Sequence, residues 1–96
     1  MKRSKIMKIV INKCHGGFEL SEKAYEFLGL SWDGFGYKYD DNRTDPKLVE
    51  CVETLGDVAS GQLAELKVVE IPDDVEWEIH NYDGLEWIAE VHRTWG

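Results

Sequence analysis

Apolar and charged residues alternate along Val75–Val91, VEWEIHNYDGLEWIAEV, on both sides of a Tyr82-Asp83-Gly84 turn. A period of two marks a strand with one buried face, so this stretch predicts a β-hairpin. A three-residue loop with Gly84 in the left-handed region would pair Asn81 with Leu85, Ile79 with Trp87, Trp77 with Ala89 and Val75 with Val91. That register turns Trp77 and Trp87 toward the core and gathers Glu76, Glu78, His80, Glu86, Ile88 and Glu90 on the outer face. A two-residue Asp83-Gly84 loop would mix Glu86 and Glu90 with Trp77 and Ile79. Because a half-buried sheet specifies its register strongly, the longer loop is the expectation.

Upstream, the β-branched run Lys8–Asn12 (KIVIN) predicts a strand that ends at the Cys14-His15-Gly16-Gly17 turn. Ser21 is placed as an N-cap, with Glu22 in the first turn, so a short helix over Glu22–Leu28 follows and Gly29 closes it. Leu20, Ala24, Phe27 and Leu28 would form its apolar side. Leu30–Thr44 is irregular and rich in glycine and aromatics, and Phe35, Tyr37 and Tyr39 alternate as in a short edge strand. Thr44-Asp45-Pro46 starts a second helix, a capping residue followed by proline. Leu48, Cys51, Val52, Leu55, Val58 and Ala59 recur at helical spacing, which carries this helix through Gly56 to about Ser60, with Gly61 as its stop. Leu66–Ile71 is the next strand, and Pro72-Asp73-Asp74 turns the chain into the hairpin.

The element order predicts an α+β fold in a single domain spanning residues 1–96. Its small, largely antiparallel sheet would comprise the N-terminal strand and a C-terminal three-strand meander, with two helices packed on one face. Met7 is an alternative start, which would leave residues 1–6 as a frayed tail. The basic opening has an apolar run too short for a signal peptide, and no stretch reaches membrane-spanning length.

Charge adds a feature the pattern alone does not carry. The formal net charge is −8, from 19 acidic and 11 basic residues. Between Glu65 and Val91 there are nine acidic residues and Lys67 alone, so the imbalance is local. A field of that sign repels phosphate backbones and attracts basic surfaces. Direct nucleic-acid binding is therefore not expected; Lys2, Arg3, Lys5, Lys8 and Lys13 cluster near the start, but no basic groove follows. Two cysteines, Cys14 and Cys51, make no disulfide framework and fit reduced thiols in a cytosol.

Several constellations compete for a functional role. Cys14 with His15 is the thiol that nucleophilic catalysis would use, but a lone thiol needs a base that the fold must place. Gly16 and Gly17, with Trp32, Phe35 and Tyr37, could frame an alternative pocket that holds a nucleotide-like ligand by stacking. The commoner use of such residues is to shape a turn and cap a small core. No CxxC, HxxxH or HExxH spacing is present, and Asp40, Asp41 and Asp45 depart from the calcium-loop pattern, so neither metal nor cofactor is implied. Arg43 and Arg93 are candidate structural partners for those aspartates. The hairpin face of Glu76, Glu78, His80, Glu86, Ile88 and Glu90 carries the leading functional reading, a docking surface for a protein with a basic patch. Its bland counterpart is a solvated sheet surface whose like charges discourage aggregation.

The segments MKIVINKCHGGFELSEKA, RTDPKLVECVETLG and VEIPDDVEWEIHNYDGLEWIAEVHRTW resemble a group of small uncharacterised proteins encoded by bacteriophages and prophages, over most of the chain from Met7 onward. The resemblance transfers no catalytic residues. It implies a role in the bacterial cytoplasm during infection, such as host modulation or counter-defence. The expectation is a non-enzymatic binding protein; the alternative is a small-molecule binder or enzyme built on the Cys14-Gly16-Gly17 turn and the Trp32–Tyr39 loop. Oligomeric state is open, since Trp95 suits either a core closure or a self-interface.

Overall fold

The structure, a computed structural model, describes residues 6–91. The Lys2, Arg3 and Lys5 cluster and His92, Arg93 and Trp95 lie outside the described residues. The elements run β1 (Ile6–Asn12), α1 (Glu22–Leu28), α2 (Pro46–Leu55), a short 3-10 helix (Gly56–Ala59), β2 (Leu66–Pro72), β3 (Trp77–Tyr82) and β4 (Leu85–Glu90). The α+β class holds, but the single sheet with a three-strand meander does not form. β1 pairs antiparallel with β2, and β3 with β4, as two separate ribbons. Among the described residues, no helix is long and apolar enough to cross a membrane.

Both helix starts follow from local chemistry. The Ser21 side chain accepts from the Ala24 amide, and Gly29 closes α1 in the left-handed region at φ 74°. Asp45 caps α2 through the Lys47 amide, ahead of Pro46 in the first turn. The second helix is shorter than its apolar stripe implies. Gly56 adopts φ 59° and ψ −132°, a conformation costly for any residue with a Cβ, and the chain leaves the α-helix there. Val58, placed in the stripe by periodicity, is exposed, whereas Ala59 is buried. The 3-10 segment is tied to α1 instead: Ser21 donates its amide to the Ala59 carbonyl and its hydroxyl to that of Val58.

On one side of the β1–β2 ribbon, Val10, Leu66 and Val68 meet Leu20, Ala24 and Tyr25 near α1 and Leu48, Cys51 and Val52 of α2 in the main core. Tyr25 takes the α1 core position expected of Phe27, which is exposed. Ile9 and Ile11 alternate to the other side of the ribbon and are also buried. Ile6, expected in the tail, begins β1 opposite Pro72.

The hairpin register differs from the expectation. Tyr82 pairs with Leu85, His80 with Trp87, Ile79 with Ile88 and Trp77 with Glu90, so the loop has two residues. Asp83 (φ 54°) and Gly84 (φ 93°) both have positive φ, as a type I′ turn demands. A Cβ on Gly84 would collide with the His15 carbonyl, so the hairpin tip is seated directly on the turn after β1.

What selects this register is Glu86. On the inner side of the ribbon it is buried and meets Arg43 in a two-pronged ion pair, Oε1 to Nη1 at 2.7 Å and Oε2 to Nη2 at 3.0 Å. The same Oε1 accepts from the Asn12 amide at 2.8 Å. The fully buried Asn12 side chain donates to the Cys14 and Gly84 carbonyls and accepts from the Glu65 amide. Arg43 also donates to the Asp40 carbonyl and carboxylate and lies 3.9 Å over the Phe18 ring. Burial alone would lower the Arg43 pKa; the hydrogen bonds and charges of Glu86 and Asp40 outweigh it and raise the pKa.

Glu86→Ala leaves a buried guanidinium and a buried amide without their acceptor, so it should cost about 3 kcal/mol in urea unfolding. Replacing both partners, Arg43→Met with Glu86→Met, should be milder than the single change, because no buried charge is left unpaired. A single-variant loss below about 1 kcal/mol would show that the pair does not anchor the hairpin.

Candidate functional site

With Glu86 turned inward, the expected acidic face divides. Glu78, His80, Tyr82 and Trp87 belong to one side of the β3–β4 ribbon; Trp77, Ile79, Glu86, Ile88 and Glu90 belong to the other. Ile88 is half-buried on the inner side, between buried Glu86 and exposed Glu90. Trp87, expected in the core, is 42% exposed and meets the His80 ring edge-on at 5.9 Å. His80 Nε2 and Glu78 Oε2 lie 2.8 Å apart at the surface.

The remaining carboxylates gather at the open end of the ribbon. Glu76 and Glu78 flank Trp77, Trp77 pairs with Glu90, and the Pro72-Asp73-Asp74 turn leads into them. All five acids are exposed. Among the described residues, no lysine or arginine comes within ion-pair distance of Asp73, Asp74, Glu76, Glu78 or Glu90. The Val91 amide donates to the Glu76 carbonyl at 2.9 Å and extends the strand pairing through this acidic end.

Beside these acids lies a groove of about 480 Å³. β2 contributes Val69, Ile71 and Pro72 to its lining; Val75, Trp77, Trp87 and Ile88 come from the turn and the hairpin. Its charged lining residues are Lys13 and Glu90. The β2 residues were not singled out by the hairpin pattern, yet Val68 and Val69 are adjacent apolar residues in one strand. They point to opposite faces, a sign that both sides of this ribbon meet apolar material.

The alternative pocket residues are divided among different neighbours. A Cβ on Gly16 would collide with Leu63, while Gly17 abuts the hairpin tip through Gly84. Trp32 packs edge-on against Tyr25 at 5.1 Å, and Phe35 and Tyr37 stack on each other, both more than half exposed. No strand forms at 35–39. Asp33 organises the loop by accepting from the Phe35 and Gly36 amides and from the Tyr25 hydroxyl. The Gly36 and Phe35 amides hold the Asp33 carboxyl below its ordinary pKa. Leu20 donates its amide to the Gly36 carbonyl and closes the loop onto the core.

Cys14 is half-buried and Cys51 fully buried, both as free thiols. A dent of about 310 Å³ lies beside Cys14, lined also by Asp57, Ser60 and Glu65. Among the described residues, no group of three or more His, Cys, Asp or Glu is placed to hold a metal ion.

Burial pushes the Cys51 thiol up to about 11, so it stays protonated and covered at pH 8. Iodoacetamide at that pH should modify native protein at Cys14 and spare Cys51 until denaturant is added, as mass spectrometry would read. Equal labelling of both thiols in the folded protein would contradict the packing of α2 against α1. No family model, no curated protein and no solved structure matches this chain.

Proposed function

We propose that the protein is a non-enzymatic binding module that docks a basic protein surface on the acidic end of its hairpin. The observation that carries this is the set Asp73, Asp74, Glu76, Glu78 and Glu90, all exposed toward the open end of the ribbon and, among the described residues, none within ion-pair distance of a lysine or arginine. Carboxylates left without counter-charges in one region make a negative field, which a cationic partner would neutralise. Glu86 drops out of the docking set because its charge is already neutralised by Arg43. Ile88 contributes on the groove side, and His80 lies beside Glu78.

The resemblance to phage-encoded proteins supplies a setting: a bacterial cytoplasm during infection, with a host factor as the partner. An acidic protein there would compete for a surface that normally meets nucleic acid or another acidic protein. Association would be steered electrostatically and would weaken as the Debye length shrinks from about 10 Å at 0.1 M salt to about 3 Å at 1 M.

The test is capture from bacterial lysate by the wild type and by the variant Glu76→Lys, Glu78→Lys, Glu90→Lys, all at exposed positions. The wild type should retain basic proteins at 0.1 M salt and hold them more weakly at 1 M; the folded variant should fail to capture them at 0.1 M. An identical captured set on the charge-reversed protein would defeat this function.

A further inference from the structure

Resting on that reading, we propose that the groove between the two ribbons seats an extended segment of the partner, about six residues long, apolar along one side and basic at one end. The dimensions come from the strands. The walls run from Lys13, just past Asn12, to Pro72, which pairs with Ile6 at the far end of the β1–β2 ribbon. At about 3.3 Å per residue the seven steps from Ile6 to Lys13 span roughly 23 Å, enough for six to seven extended residues.

The lining sets the chemistry of the occupant. Val69, Ile71, Val75, Trp77 and Ile88 offer an apolar floor and walls, and the charged groups sit at the ends. A small ligand or substrate is held by several convergent polar groups deep in its pocket; here the charged lining residues, Lys13 and Glu90, are both exposed. Among the described residues, no buried side-chain nitrogen or oxygen lacks a partner, so none waits in the groove for a ligand. An extended chain needs no such cluster, because alternate side chains enter the apolar trough while the others face water.

Charge complementarity gives the segment its direction. The Asp73-Asp74 turn, Glu76 and Glu90 stand at one mouth, and Lys13 stands toward the other. A segment with lysine or arginine at one end places that end against the acids and carries its apolar residues past Trp77 toward Lys13. The acidic end thus supplies steering, and the groove supplies a component of binding that salt does not screen.

The test uses the full chain and three fluorescein-labelled octapeptides, followed by anisotropy. One carries two lysines followed by alternating valine and threonine; the second replaces its valines with serine; the third replaces its lysines with glutamate. The lysine–valine peptide should bind at least tenfold more tightly than either control and should keep measurable binding at 1 M salt. Val75→Ser, at a turn position, and Ile71→Ser should each erase the valine advantage, whereas Glu76→Lys with Glu90→Lys should weaken both lysine peptides. Circular dichroism confirms folding of each variant.

Equal binding of the valine and serine peptides would overturn the groove proposal and leave the acidic docking function standing. Loss of all lysine-peptide binding at low salt would overturn both. Concentration-dependent dimers in sedimentation, broken by Val75→Ser, would assign the groove to a second copy of this chain and overturn it as a partner's seat.

Discussion

Arg43 reaches from the loop before α2 to the inner side of the hairpin, where its guanidinium meets both oxygens of Glu86. Glu86 passes the connection on to the Asn12 amide, and the Asn12 side chain binds the Cys14 turn, the hairpin tip at Gly84 and the start of β2 at Glu65. Four separate parts of the chain are therefore joined through three side chains. Each is buried or nearly so, and a lost partner would leave a desolvated charge or amide behind. Apolar packing alone would let the hairpin slide or rotate; directional bonds of this kind allow one arrangement.

The two ribbons stay separate for the same reason. β4 lies against β1, but the Asn12 amide is taken by a carboxylate and the Val10 amide by the Arg43 carbonyl. With those edge donors engaged, the two ribbons meet through side chains and share no continuous ladder of backbone bonds. Two ribbons meeting in this way leave a trough between them. Its walls are the second apolar face of β2 and the inner face of the hairpin, and its open end collects the carboxylates that Arg43 does not reach.

Much of this was legible in the residues. Ser21 and Gly29 bracket α1 as their chemistry demands, because capping is satisfied by the nearest few amides and carbonyls. Asp45-Pro46 does the same for the start of α2. Gly56 was less legible: periodicity continues across it, and the docking of Ser21 onto Val58 and Ala59 accompanies the helix end that the glycine permits. The hairpin turn held two conflicting signals. Asp83-Gly84 is the ordinary composition of a two-residue type I′ turn, while alternation argued for keeping Glu86 outside. The turn chemistry prevailed because Arg43, some forty residues away in the chain, makes the inside position the favourable one for that carboxylate.

Local order thus determined the α+β class, the helix starts, the hairpin itself and the concentration of negative charge between residues 65 and 91. These depend on neighbours within a few positions, which a linear pattern contains. Which carboxylate is neutralised and which remain exposed was decided only in the folded molecule, as were the separation of the two ribbons and the groove between them. Burying a charge is unfavourable until its counter-charge is in place, and nothing within a few residues of Glu86 specifies Arg43 as that partner.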